Sequence, residues 1–203
     1  TDEELSPIKL RNSGYPNLAQ GLDKGYIKED AIRQHLIKNY EEPYQPGGFD
    51  QLEFMINTLK NEPFGSNGRR CLFSLWNPND LHQMALPPCH YTYQAIADGD
   101  GGLTGILTQR SCDFPVGVPA NIQFYSALTI MLAQQSGFKP REFIHNTNDS
   151  HIYLNQIPMV EEYLSRPEIN SPKLAINKAV DIYSYKMEDF VLSDYKPDEK
   201  IDI

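Results

Sequence analysis

A chain of 203 residues with 40% hydrophobic and 22% charged residues can bury one substantial core and has the make-up of a soluble globular protein. The formal net charge of −9 argues against nucleic acid or an anionic membrane as partner, and no apolar run approaches the ~18–20 residues that span a bilayer. The three cysteines, Cys71, Cys89 and Cys112, are odd in number and lack any CxxC or HExxH context, so neither a disulfide scaffold nor a zinc site is expected. Free thiols suit a reducing cytoplasm, and the acidic start Thr1-Asp2-Glu3-Glu4 does not look like the basic head of a secretory leader.

Residues 1–28 carry Pro7, Gly14, Pro16, Gly21 and Gly25 and read as loops and short pieces. Glu29 to Tyr40 spaces Ile32, Leu36 and Ile37 for a short amphipathic helix, which Glu41-Glu42-Pro43-Tyr44-Gln45-Pro46-Gly47-Gly48 breaks. We divide the chain there, into a segment 1–48 and a core 49–203. From Phe49, the positions Phe49, Leu52, Met55, Ile56 and Leu59 predict a helix. The loop Gly65-Ser66-Asn67-Gly68 presents Arg69-Arg70, and Cys71 to Trp76 reads as a buried strand. His90–Ala97 and Leu103–Gln109 predict a hairpin closed by Asp98-Gly99-Asp100-Gly101-Gly102. Asn121 to Gln135 is apolar on nearly every face, a helix expected to be buried on most sides, between Pro119 and Gly137. Glu142–Asn146 predicts a strand, Ser150–Arg166 a helix bent or restarted at Pro158, and Lys173–Asn177 and Asp189–Ser193 two final strands. The irregular alternation favours an α+β fold with a mixed sheet.

The stretch Met84-Ala85-Leu86-Pro87-Pro88-Cys89-His90 places one thiol on a turn whose φ angles are set by two prolines. An ionised thiol is a nucleophile, and a nearby cation favours ionisation. Gln109-Arg110-Ser111-Cys112-Asp113 offers one; a buried structural cysteine is the other reading. Arg69-Arg70 and Arg110-Ser111 have the donors that grip a phosphate, although an arginine pair also suits a solvated surface. Asn121 either caps its helix or uses its carboxamide to read a base. In Asp149-Ser150-His151-Ile152-Tyr153, Asp149 could cap a helix, and His151 and Tyr153 could be half-buried side chains satisfied by backbone.

These pieces, together with Trp76-Asn77-Pro78, Gly117-Val118-Pro119-Ala120-Asn121-Ile122 and Asp149-Ser150-His151-Ile152-Tyr153-Leu154-Asn155, occur in one order at spacings that resemble the thymidylate synthase family, from about Phe49 to Tyr195. The resemblance implies an α+β mixed sheet with packed helices and a sheet-to-sheet homodimer. It implies that Cys89 adds to C6 of a uracil ring and that Asn121 holds the N3–O4 edge. Arg110 and Ser111 would bind the 5′-phosphate, with Arg69 and Arg70 reaching the phosphate of the neighbouring subunit. His151 and Tyr153 would hold the sugar hydroxyl; Asp113 and Gly117 would lie against the pterin; His90, Gln109 and Trp76 would support the pocket. The activity so implied is one-carbon transfer to C5 of dUMP from 5,10-methylenetetrahydrofolate, with no metal. Thiolate addition makes C5 nucleophilic, and a fixed donor stabilises charge at O4. Hydride then gives a methyl group, whereas water gives hydroxymethyl. The alternatives are therefore a hydroxymethyltransferase on the same nucleotide and a nucleotide-binding homologue without turnover.

The first 48 residues depart from the family pattern. Arg11 is a candidate for the family's loop arginine, and Glu29, Glu41 and Glu42 for its proton-relay glutamate. Ala120 stands where a phenylalanine is usual, Gln156 where a histidine is usual, and Lys200-Ile201-Asp202-Ile203 lacks the usual apolar tail. The nucleotide half of the site is thus expected complete and the folate half reduced.

Overall fold

The computed structural model describes residues 49–78, 80–167 and 171–201. The expectations placed on residues 1–48, including Arg11, Glu29, Glu41, Glu42 and the helix over Glu29–Tyr40, lie outside the described residues. Gln51–Ile203 form one compact unit.

Helix α1 runs over Gln51–Asn61 and buries Met55, Ile56 and Leu59, as the three- and four-residue spacing predicts, but Phe49, expected to open it, precedes the helix and is exposed. The Gly68–Arg70 turn leads into a short strand β1, Leu72–Ser74. This strand is shorter and more exposed than expected; Cys71, just before it, is the fully buried residue. Its outer edge is closed by Gln51, whose carboxamide donates to the Ser74 carbonyl at 3.1 Å and accepts from the Ser74 amide at 2.8 Å. One side chain thereby stands in for a neighbouring strand.

The hairpin forms as expected from β2, His90–Ala97, and β3, Gly102–Asp113, with Ala97 opposite Leu103. β3 is four residues longer at its far end than the sequence suggested. Strand β4, Lys139–His151, lies parallel to β3 along its length, giving a mixed sheet in the order β1-β2-β3-β4. This pairing also overturns the expected helix over Ser150–Arg166. Residues 150 and 151 continue β4, and helix α3 covers Ile157–Ser165, with Pro158 in its first turn. Proline fits there because the first-turn amides have no partner within the helix. Asp149 is consequently a strand residue opposite Ser111, not a helix cap. Two short strands, β5 (Lys173–Ile176) and β6 (Phe190–Ser193), pair antiparallel.

Helix α2, Gly117–Ser136, is the central helix. It begins four residues before the expected start, so Asn121 sits inside the second turn and caps nothing; Val116 holds the cap position. Gly137 ends the helix at φ 84°, a left-handed conformation glycine adopts without strain. Nor is α2 buried on most sides. Tyr125, Thr129, Leu132 and Ala133 face the core, while Phe124 is 64% exposed. The cause is the two-layer arrangement: α1 and α2 cover one face of the sheet and meet Tyr93, Ala95, Leu103 and Leu107. On the opposite face the register sets Leu72, Gln94, Ile106 and Ile144 in one row across the four strands. Leu72, Ile96 and Ile144 are all exposed on that face.

Helix and sheet approach closely at Gly105. A β-carbon there would overlap the hydroxyls of Tyr93 and Thr129, which hydrogen-bond to each other at 2.8 Å. Because the Thr129 hydroxyl donates to the Tyr125 carbonyl at 2.7 Å, Tyr93 is the donor in that pair. Burial pushes the Tyr93 phenol up to about 12, so it keeps the proton it donates.

Candidate active site

Four structural ends converge: the start of β2, the last residues of β3 and β4, and the first turns of α2. The carboxyl ends of adjacent parallel strands are a common place for a site, because loops and a helix N-terminus meet there. Cys89 immediately precedes β2 and is half-buried with a free thiol. The proline-set turn is anchored by Arg110 of β3. Its Nε donates to the Pro88 carbonyl at 3.1 Å, and its Nη2 to the Pro87 carbonyl at 2.8 Å. The same Nη2 lies 4.0 Å from Cys89 Sγ, and the Arg110 amide donates to the Cys89 carbonyl at 2.8 Å. One guanidinium thus binds both carbonyls before the thiol and ends beside the sulfur. Its carbon also sits 5.7 Å from the centroid of the Trp76 ring, within cation–π range. Arg110, Trp76, Ser74, Tyr91 and Thr92 line a concavity of about 440 Å³.

A register slip aims the next residue. Between His90 and Thr92 the pairing with β3 shifts by one, bringing His90 opposite Gln109. His90 can therefore reach the helix side, where its Nδ1 and the Tyr125 hydroxyl are 2.7 Å apart. Gln109 is buried; its Nε2 donates to the Ser111 carbonyl at 2.9 Å, leaving its oxygen to accept from His145 Nε2 at 2.9 Å. Burial holds both His90 and His145 below the ordinary histidine range, and their mutual repulsion adds to this at His145. Burial likewise pushes the Tyr125 phenol up to about 12. A polar layer of largely neutral groups therefore lies under the start of β2.

Ser111 and Asp113 end β3, opposite Asp149 and His151 of β4. Asp113 accepts from Gln156 Nε2 at 3.1 Å, and Gln156 Oε1 accepts from the Tyr153 amide at 2.9 Å. His151 donates through Nδ1 to the Asp149 carbonyl at 3.1 Å, and its ring meets Tyr153 edge-on with centroids 5.0 Å apart. Gly117 lies between Asp113 and Asn121: a β-carbon on it would be 3.6 Å from the Asp113 side chain and 3.9 Å from Asn121 Oδ1. The fold thus gathers Cys89, Arg110, Ser111, Asp113, Gly117, Asn121, His151 and Tyr153 at one end of the sheet.

Arg69 and Arg70 are not part of that group. Cys71 pairs with Ala95, so the two arginines lie toward the other end of β2, six residues or about 20 Å of strand from Cys89. Both are exposed, and Arg70 donates to Asn67 at 2.7 Å. The linking roles of Gln156 and Tyr125 carry no local signal in the sequence. Gln156 contacts a residue 43 positions away, and no local spacing signals such a partner. Among the described residues no group of three His, Cys, Asp or Glu could hold a metal ion, and no helix is long and apolar enough to cross a membrane.

A family model described as thymidylate synthase matches residues 22–203. The thymidylate synthase of Sphingopyxis alaskensis is 43% identical over 155 residues, covering 76% of this chain and 49% of that protein. That of Saccharomyces cerevisiae is 40% identical over 173 residues, covering 81% and 56%. The solved thermostable thymidylate synthase A of Bacillus subtilis superposes with a TM-score of 0.70 at 35% identity, covering 76% of this chain and 54% of that one. The chain therefore spans about half the length of these relatives, with the sheet, the central helix and the cysteine turn within it. By sequence and by fold, the chain belongs to the thymidylate synthase family.

Proposed function

We propose that this protein transfers a one-carbon unit to C5 of a uracil nucleotide, converting dUMP to dTMP with 5,10-methylenetetrahydrofolate as co-substrate. The observation that carries the reading is the Arg110 fork: one cation holds both proline carbonyls and stands 4.0 Å from Cys89 Sγ. A structural cysteine needs no such support, whereas a nucleophile gains from a fixed direction and a neighbouring positive charge.

Cys89 attacks C6 of the pyrimidine; the C5–C6 π electrons move toward C5 and O4. Asn121 donates at O4 and accepts from N3–H, the pattern that separates uracil from cytosine. Arg110 and Ser111 bind the 5′-phosphate, and His151 with Tyr153 the sugar hydroxyl. Asp113 and Gly117 suit a pterin: the half-buried carboxylate is a strong acceptor for ring N–H groups, and Gly117 leaves the space beside it open. The folate supplies the carbon and the hydride. After the carbon joins C5, the C5 proton leaves, the C6–Sγ bond breaks to return the thiolate of Cys89, and hydride from the folate completes the methyl group, leaving dihydrofolate.

We further propose a homodimer formed through the open sheet face. The exposed Leu72, Ile96 and Ile144 form an apolar patch there, and Arg69 and Arg70, remote from Cys89 in their own chain, are available to a neighbour's phosphate. The division of the chain into a segment 1–48 and a core 49–203, with the family match reaching back to residue 22, and a location in the reducing cytoplasm belong to the same reading; the three free thiols support the latter.

Intact-mass analysis after incubation with 5-fluoro-dUMP and methylenetetrahydrofolate tests the function. A covalent ternary adduct lost in Cys89→Ala is expected. Reversible binding alone would leave a nucleotide-binding homologue. Product identification from dUMP is expected to give a methyl group; hydroxymethyl would reassign the reaction.

A further inference from the structure

Gln156 is 5% exposed, and a buried carboxamide must find partners for both ends. Its two partners define its orientation. The Tyr153 amide can only donate, so Oε1 faces Tyr153 and Nε2 faces the Asp113 carboxylate, at 2.9 and 3.1 Å. Asp113 ends β3 and Tyr153 lies just beyond β4. The backbone already brings these ends together: Asp113 is opposite His151, and the Phe114 amide donates to the His151 carbonyl at 3.0 Å. Main-chain bonds set the spacing of the ends, but they do not aim the Asp113 side chain. Among the described residues, Gln156 supplies the side-chain hydrogen bond that Asp113 accepts. Being an amide, it supplies that bond without titrating.

We propose that Gln156 is a positioning residue which ties the carboxylate of Asp113 to the turn carrying Tyr153, so that the folate side and the sugar side of the site are coupled through one carboxamide. This rests on the function proposed above, in which Asp113 meets the pterin and Tyr153 the sugar. Two substitutions separate the bonds. Gln156→Glu keeps an oxygen for the Tyr153 amide but replaces the fixed N–H donor with a second carboxyl against Asp113, so the pair must either repel or share a proton. Gln156→Leu removes both bonds.

The experiment uses the full chain at pH 7.5 and measures, for wild type and both variants, the 5-fluoro-dUMP adduct, the dUMP Kd, the KM for methylenetetrahydrofolate, and Tm. Gln156→Glu is expected to raise the folate KM about tenfold or more while the dUMP Kd stays within about threefold, the loss of one charge-assisted bond on one side only. Gln156→Leu is expected to raise both constants. A folate KM within about twofold of wild type in Gln156→Glu, or a parallel rise in both constants in that variant, would overturn the assignment of the Nε2 bond to positioning Asp113 for the folate side, whatever happens to Tm. Should Gln156→Glu not fold, Gln156→Leu decides: both constants must rise, and no change in either overturns the proposal. Absence of any adduct in wild type removes the functional reading and this proposal together; an adduct with an unchanged folate KM removes this proposal alone.

Discussion

Replacing Gly105 by alanine tests the contact between the central helix and the sheet. The added methyl must enter space held by the Tyr93 and Thr129 hydroxyls, both nearly fully buried, with Tyr93 Cζ at 3.0 Å. Overpacking of this kind costs about 1–3 kcal/mol. Breaking the Tyr93–Thr129 bond and stranding a buried hydroxyl adds about 1–3 kcal/mol. Relief of the glycine's chain entropy returns about 0.5–1 kcal/mol. A net loss of about 1–5.5 kcal/mol is expected, a fall in Tm of roughly 2–22 °C for a chain of this size. Urea denaturation followed by circular dichroism measures it. The second arm is Tyr93→Phe, which removes one of the two obstructing hydroxyls. The double variant should lie at least about 1 kcal/mol above the additive expectation. Because Asn121 precedes Tyr125 by one helical turn and Thr129 by two, a displaced α2 should also weaken dUMP binding. A single variant within about 0.5 kcal/mol of wild type, or strict additivity in the pair, would refute the packing argument.

Four further outcomes are expected. Cys89→Ala should abolish turnover yet leave the dUMP Kd within about threefold, since the proposed phosphate and base contacts do not use the thiol; calorimetry and tritium release from C5 check this together. Asn121→Asp should shift preference from dUMP toward dCMP, and unchanged selectivity in paired kinetic assays would remove the base-reading role. Ile144→Asp, placing a charge on the open sheet face, should move the protein toward monomer in analytical ultracentrifugation; an unaltered oligomeric state would exclude that face as the interface. His90 and His145 are held below their unfolded value, so the unfolded chain takes up protons first as pH falls. Their contribution to stability is full above about pH 6.5 and is lost as pH falls from there through their lowered values. Tm should be flat from pH 7 to 8 and drop below 6.5, and His145→Gln should flatten the upper part of that drop.

The features legible along the chain alone are local ones. The α1 helix follows from apolar spacing within eleven residues. The β2–β3 hairpin follows from alternation around a glycine-rich turn. The stiff turn before Cys89 follows from two prolines. Family membership was legible for a related reason: each motif is a short local string, and the order and spacing of such strings can be read along the chain.

Tertiary structure decided the rest, because the competing possibilities were locally equivalent. Ser150 and His151 could open a helix as well as end a strand, and only the parallel ladder to β3 chooses extended backbone for them. Residues 117–120 resemble a loop until α2 packs on the sheet and draws Pro119 into its first turn, which moves Asn121 from cap to helix interior. His90 reaches Tyr125 because of a one-residue slip in pairing, and Gln156 finds Asp113 across 43 residues. Hydrogen bonds between distant buried groups depend on where the backbone is brought by packing, and no pattern along the chain encodes that distance.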